Sequence, residues 1–475
     1  MKKIAIYGFL LILASLQVAC KDWLDVKPKT AVEEDVLFST EQGFKENLTG
    51  IYLLLASKDL YGRELSYGIT DILAQRYEPG GGSDIPELKF ADNDWYKFPS
   101  VKTEGYVNSI WKNMYKVIAN INNFLTWIDK NKEVLTTPDY YEIMKGEALG
   151  LRGFLHLELL RMFGPIPGET AANQLAIPYV EELTKDPNKL LTLTYSEVIT
   201  KIIKDLDEAE QYLKGDPIMA EEDPTDEWQK NRGYRFNYYA VKAAKARYYR
   251  WIGNAPKAAQ YAQEVIDSKK FALATENDYS SSGGLVMLKE HLFGVHSQNH
   301  QSIIEPYFSG SDPLLTQSTN YIQTAYENIT GDIRNVTNRY WQSKQSPDYW
   351  WITVNYFLKY MDGSDFESPN TIPVLRLAEM YLILTESASQ DVAKPYFYQY
   401  LIARNVTLSW VDDVADSEKL KARLEKEYRK EFWGEGQMWF WYKRWNYEKF
   451  TWPSSFTVPQ DGYLIPIPQS QTMFD

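Results

Sequence analysis

Apolar positions recur every three to four residues through much of the chain, and this spacing predicts a mainly helical protein. Phe44, Leu48, Ile51, Tyr52 and Leu55 form one stripe, and Ser39-Thr40 before it supply hydroxyls to cap a helix starting at Glu41. A second helical stretch is expected over 65–77, ended by Pro79-Gly80-Gly81-Gly82, which cannot sustain a helix. A long loop to about Ser100 follows. Ile110, Met114, Val117, Ile118, Ile121, Leu125 and Ile128 then mark one long helix, or two in succession, over 105–129. A helix over 139–163 stops at Gly164-Pro165-Ile166-Pro167-Gly168, and the period resumes over 195–213 with Val198, Ile202, Leu206, Ala209 and Leu213.

Residues 236–268 follow the tetratricopeptide template. Ala246 and Ala258 are small enough for two helices to approach, Gly253 suits the turn, and Tyr261, Ala262, Val265 and Ile266 continue the pattern. One such repeat cannot fold alone, so three further pairs are expected: 41–77, the split pair 140–213, and 373–389 with 392–405. Charged helix is expected over 417–432, and Pro466 and Pro468 keep the stretch near the end extended. The resulting fold is a superhelix of tetratricopeptide-like pairs: a helical part over 41–271, an irregular aromatic-rich insertion over 272–371, and a helical part over 372–475.

The first residues read differently. Lys2 and Lys3 precede an apolar run, Ile4 to Leu16, that suits an export signal and is short for a bilayer span of roughly 20 residues. Leu16-Gln17-Val18-Ala19-Cys20 resembles a bacterial lipobox, and the single cysteine has no thiol to pair with. This predicts a signal peptide over 1–19, a lipid anchor on Cys20 and a tether to residue 40. Net charge is −13, and no basic stripe of the kind phosphate neutralisation requires is present, which argues against nucleic acid as a partner.

No phosphate loop, nucleophile elbow or zinc helix motif occurs, and no cofactor is implied. His291, His296 and His300 cluster, but the Gly and Ser between them argue against a metal site. Asp92-Asn93-Asp94 and Asp362-Gly363-Ser364-Asp365 lack the continuation of a calcium loop and read as turns. A hydrolase needs only two carboxylates, which sequence cannot single out among 64 acidic residues. Arg152, Arg376 and Glu379 stand among apolar neighbours and are expected to form scaffold ion pairs. Aromatic residues make up 15% of the chain. Trp111, Trp251 and Tyr381 fall at core spacing. Trp95, Tyr96, Trp341, Trp350 and Trp351, with Asn93, fall in loops or the insertion, where a sugar ring can stack on an indole or phenol face. These are the candidate ligand residues.

Taken together, several segments resemble the SusD/RagB family of Bacteroidetes outer-membrane lipoproteins. They are Ile110-Trp111 to Tyr115 with Asn120 to Leu125; Gly146-Glu147-Ala148 to Leu151-Arg152 and Phe163-Gly164-Pro165-Ile166-Pro167; Tyr195 to Leu213; Ile372-Pro373-Val374-Leu375-Arg376-Leu377-Ala378-Glu379-Met380-Tyr381-Leu382; Glu435-Gly436 to Lys443-Arg444-Trp445; and Leu464-Ile465-Pro466-Ile467-Pro468. Their order is the family's. Met438 and Trp441 stand where the family commonly has arginine and aspartate, so that ion pair is absent here. The resemblance implies a helical scaffold without a catalytic centre that captures a glycan or other oligomeric nutrient over a TonB-dependent transporter of SusC type. A surface glycan hydrolase and a scaffold that binds only protein remain open beside it.

Overall fold

The computed structural model describes residues 34–79, 101–184, 186, 190–222, 224–279, 284–308, 315–329, 331–335, 340–345, 353–361, 369–407, 416–450, 457–459, 461–468 and 471. Cys20 and the rest of the expected signal and tether up to residue 33 lie outside them. Fourteen α-helices occur among the described residues. The first, α1 (Glu34–Leu37), leads into α2 (Glu41–Leu55), where the Thr40 hydroxyl accepts from Gly43 N at 3.1 Å as the sequence predicts. The expected helix over 65–77 shrinks to α3 (Ile69–Leu73). Side chains there compete for the backbone: Glu64 Oε2 accepts from Ile69 N at 3.1 Å, and the Thr70 hydroxyl donates to Glu64 O at 3.1 Å. α2 packs against α4 (Val101–Lys130), a single helix.

α5 (Tyr140–Phe163) and α6 (Tyr195–Tyr212) form the next pair. Gly146 lets them touch, since a Cβ there would stand 2.6 Å from Leu213 Cγ. A capping box starts α6: Glu197 N donates to the Thr194 hydroxyl, and Thr194 N donates to Glu197 Oε2 at 2.9 Å. The tetratricopeptide-like pair is α7 (Tyr238–Trp251) and α8 (Ala255–Asp267), turned by Gly253 at φ +80°. Trp111, Trp251 and Tyr381 are all buried, as their spacing predicts.

The segment 272–371 carries more regular structure than its composition suggests. It holds β2 (His291–His296), α9 (His300–Phe308), β3 (Leu315–Ser318), α10 (Thr319–Ala325), β4 (Trp341–Gln345) and β5 (Thr353–Phe357). β2 pairs antiparallel with β6 (Thr371–Arg376), which crosses the expected boundary at 371 and knits the segment to the scaffold. Pro373 and its β-branched neighbours turn the start of the expected 373–389 helix into this strand, and the helix proper is α11 (Leu377–Ser387). It pairs with α12 (Gln390–Ala403); α13 (Ser417–Glu431) and α14 (Gln437–Arg444) follow.

Buried ion pairs join these elements. Arg152 Nε donates to Asp205 Oδ2 at 2.6 Å, linking α5 to α6, and Arg247 Nη2 donates to Glu379 Oε2 at 2.6 Å, linking α7 to α11. Arg376, Arg404 and Arg334 converge on the carboxylate of Glu431, at 2.8, 2.8 and 2.9 Å. The expectation that Arg152, Arg376 and Glu379 serve the scaffold holds.

Candidate functional site

Most of the predicted ligand residues lie outside the described set: Asn93, Trp95, Tyr96, Trp350 and Trp351. Their attachment points are described. β1 (Glu78–Pro79) leads into residues 80–100, and β4 and β5 flank residues 346–352. All three strands belong to one sheet of order β1-β3-β5-β4, with Glu78 opposite Thr316, Thr316 opposite Tyr356, and Gln345 opposite Thr353. Side chains lock it. Gln317 Nε2 donates to Arg76 O at 3.1 Å, and Asn355 Nδ2 donates to Gln317 O at 3.1 Å. The tertiary fold therefore anchors two aromatic-bearing segments, far apart in sequence, on a single sheet.

Trp341 is a correction. It opens β4 but is only 3% exposed, with its ring 4.9 Å from Phe357 and 4.6 Å from Trp433, edge-on. Its contacts with Phe357 and Trp433 hold it inward while Gln342 and Ser343 are exposed, so it packs the sheet against the body of the protein and offers no face to a ligand. The histidines differ in placement: His296 ends β2 and is exposed, whereas His300 opens α9 and is buried; no group of three metal-ligating side chains occurs among the described residues.

Beside the sheet is a surface that periodicity did not single out. Arg63, in the turns after α2, donates from Nη1 to the Tyr307 hydroxyl at 2.5 Å, and its guanidinium lies 5.4 Å from the Tyr307 ring. Tyr307 is on α9, near the point where the chain enters β3. Behind it, Tyr67 sits 5.9 Å from the Tyr307 ring, 5.1 Å from Phe308 and 5.9 Å from Tyr360, so the outer tyrosine rests on a packed aromatic wall. Tyr106, in the first turns of α4 just after residues 80–100, also acts on Arg63 electrostatically. Burial opposes the Arg63 charge, but Glu64, Tyr307 and Tyr106 raise its pKa, so it stays protonated. The Arg63 side chain is 17% exposed and Tyr307 is half-buried, so both reach the surface. Arginine N–H groups with a supported phenol suit the hydroxyls and C–H face of a sugar.

A groove of about 760 Å³ lies elsewhere, lined by Tyr238, Lys242, Gln263, Asp267 and Val392. Its polar groups are engaged with each other: Lys242 pairs with Glu210 and Glu264, and the Tyr396 hydroxyl bonds both Gln263 and Asp267. The Arg63–Tyr307 surface is the better candidate because, among the described residues, Arg63 keeps N–H groups beyond those given to Glu64 and Tyr307, and Tyr307 rests on Tyr67.

Among the described residues the fold is one of stacked helix pairs joined to a small sheet. The family model described as "Starch-binding associating with outer membrane" matches residues 22–249. Among solved structures, the chain is similar to a SusD superfamily protein from Bacteroides thetaiotaomicron, with a TM-score of 0.71 and 21% identity, over 91% of this chain and 98% of that one. It is also similar to a putative sugar binding protein from Bacteroides vulgatus, with a TM-score of 0.69 and 21% identity, over 92% and 97%. SusD-like protein P25 of Formosa agariphila is 23% identical over 228 residues, covering 47% of this chain and 39% of that protein. SusD-like protein P38 of the same organism is 22% identical over 274 residues, covering 58% and 47%. The chain thus spans less than half the length of these two relatives. It is similar in sequence to that family over residues 22–249, and its fold is similar to that of the solved SusD superfamily proteins.

Proposed function

We propose that the protein is a cell-surface lipoprotein that binds a glycan or other oligomeric nutrient and delivers it to a TonB-dependent transporter of SusC type in the outer membrane. The observation that carries this reading is the Arg63–Tyr307 surface beside the sheet that anchors residues 80–100 and 346–352. On this reading Asn93, Trp95, Tyr96, Trp350 and Trp351 join Arg63 and Tyr307 in holding the ligand, and binding occurs without turnover. The description of the matching family and the name of the Bacteroides vulgatus neighbour support a saccharide.

Substituting Arg63→Ala or Trp350→Ala is expected to weaken glycan binding by about tenfold each, the loss of a charge-assisted hydrogen bond or a stacked ring. Calorimetric titration of glycans identified on a panel, with the thermal midpoint measured alongside, is the check. Unchanged affinity per folded molecule in both variants would remove the site, and release of shortened products would favour a hydrolase.

The anchor is tested separately. Cys20→Ala should move the protein from the membrane pellet to the soluble fraction, because acyl chains supply most of the membrane affinity. Among the described residues no helix is long and apolar enough to cross a membrane. Undiminished membrane retention of this variant would overturn the lipid anchor.

A further inference from the structure

We infer that the protein holds a small inorganic anion, a halide such as chloride, against the buried guanidinium of Arg76. Arg76 stands between α3 and β1 and is only 1% exposed. Its Nη2 donates to Arg429 O near the end of α13, and its Cζ lies 3.9 Å from the centre of the Trp433 ring. Nε and Nη1 are buried without an acceptor, and among the described residues no carboxylate forms an ion pair with the group. Every other buried arginine among those residues has such a partner. A buried charge is costly unless it is both paired and hydrogen-bonded, and the indole face supplies only part of that compensation.

Asp71 is the carboxyl that acts on Arg76 electrostatically, and it is engaged elsewhere. It accepts from Gly434 N at 2.7 Å and from Gly436 N at 3.1 Å, and the Tyr77 hydroxyl stands 3.4 Å away. Burial raises it to about 7 against the pull of Arg76, the two amides and Lys359, so near neutral pH it supplies only part of a counter-charge. A second guanidinium adds to the excess. Arg429 Nη2 donates to Glu425 Oε1 at 2.7 Å, while its Nε is buried without an acceptor. Arg76 and Arg429 both act on the Tyr442 hydroxyl, which places them in one neighbourhood. Trp433 Nε1, on the ring that Arg76 covers, also lacks an acceptor. The unmet groups here are all donors. A water molecule would bring hydrogens that need acceptors of their own, whereas an anion brings acceptor capacity together with the missing charge. Trp433 and Tyr326 are each 1% exposed, and Tyr77 and Tyr442 each 2%, so the surroundings suit a single atom better than a phosphate or an organic acid. Neutralising Arg76 would also steady the sheet, because Gln317 of β3 donates to Arg76 O at 3.1 Å.

The test exchanges the purified chain into sodium gluconate and titrates it with sodium chloride or sodium bromide at constant ionic strength. The thermal midpoint is expected to rise by about 1.5 °C per tenfold increase in halide once the dissociation constant is exceeded. Arg76→Met, similar in length and uncharged, should show the same midpoint in both kinds of salt. Crystals soaked in bromide should give an anomalous peak against Arg76 Nε or Nη1. Equal midpoints of the wild type in halide and gluconate overturn the inference, as does a halide effect that persists in Arg76→Met, which would mark a general salt effect. If that variant does not fold, the bromide map of the wild type decides, and bromide found only at other places overturns the site.

Discussion

Replacing Glu431 with glutamine is expected to destabilise the protein by about 4 kcal/mol, the size seen when one partner of a buried ion network is removed. Oε1 of this carboxylate accepts from Arg376 Nη1 and Arg404 Nη2, both at 2.8 Å, and Oε2 accepts from Arg334 Nη1, Arg404 Nε and the Tyr400 hydroxyl, each at 2.9 Å. Burial alone would push its pKa up, but Arg404, Arg376 and Arg334 hold it well below the carboxylate range. Glutamine keeps the shape and leaves three buried guanidinium groups short of a counter-charge. Those groups come from the end of β6, the turn after α12 and the 333–335 turn, so the damage should spread from the C-terminal helices to the sheet. The urea midpoint is the readout. As a control, Lys419→Ala removes an exposed pair to Asp416 at 3.9 Å and should change stability by less than about 0.5 kcal/mol. Equal effects of the two substitutions would show that the network contributes nothing special.

Acid should weaken the fold between pH 6.5 and pH 4, with a net loss of roughly 5 kcal/mol by pH 4.5. Three of the four histidines are buried and neutral. His156 accepts from Val180 N at Nε2, 3.1 Å, so its proton is on Nδ1, which donates to Arg152 O at 2.8 Å. Burial lowers it to about 3 despite that bond, with Arg152 and Lys201 adding to the fall and Glu181 opposing it. His291 donates from Nε2 to Val286 O at 2.7 Å and is lowered to about 4 by burial, with Arg376 and Lys359 adding to the fall and Glu435 opposing it. His300, between the rings of Tyr67 and Tyr360, is lowered to about 4 by burial and by His296.

Bases with a depressed folded pKa contribute full stability above the unfolded value near 6.5 and lose it as pH falls towards the folded value. Asp71 acts in the opposite sense. Burial raises it to about 7, although Gly434 N and Gly436 N donate to it, so between about pH 7 and 4 it gains stability on acidification. One such group offsets only part of three histidines. Urea midpoints at pH 7 and pH 4.5 measure the balance. His300→Phe, which keeps the ring between the two tyrosines, should reduce the loss; an unchanged acid limb in that variant would remove His300 from the account.

Much of the scaffold was legible because helices are local. The stripe from Phe44 to Leu55, the hydroxyl of Thr40 and the stop at Gly164-Pro165 act within a few residues of one another, so sequence spacing determined those elements. The same holds for the α7–α8 pair, whose small residues and Gly253 report a close approach and a turn. Residues 65–77 misled because the Glu64 and Thr70 side chains bond the backbone that a helix needs. The 373–389 stretch misled because its strand partner, His291–His296, is some eighty positions away, and periodicity over a short apolar run does not report a distant partner.

The candidate site divides the same way. Sequence determined that the chain is rich in aromatics, that Trp111, Trp251 and Tyr381 repeat at core spacing, and that Arg152, Arg376 and Glu379 sit in apolar company. It could not separate Trp341 from its neighbours, because an indole in a loop-rich segment has the same local context whether it faces solvent or Trp433. Only the tertiary structure decided that, and only it brought Arg63 to Tyr307, 244 positions away. Helix formation depends on contacts three and four residues apart, whereas a recognition surface is made of side chains that meet after the helices have packed, and their meeting leaves no period in the chain.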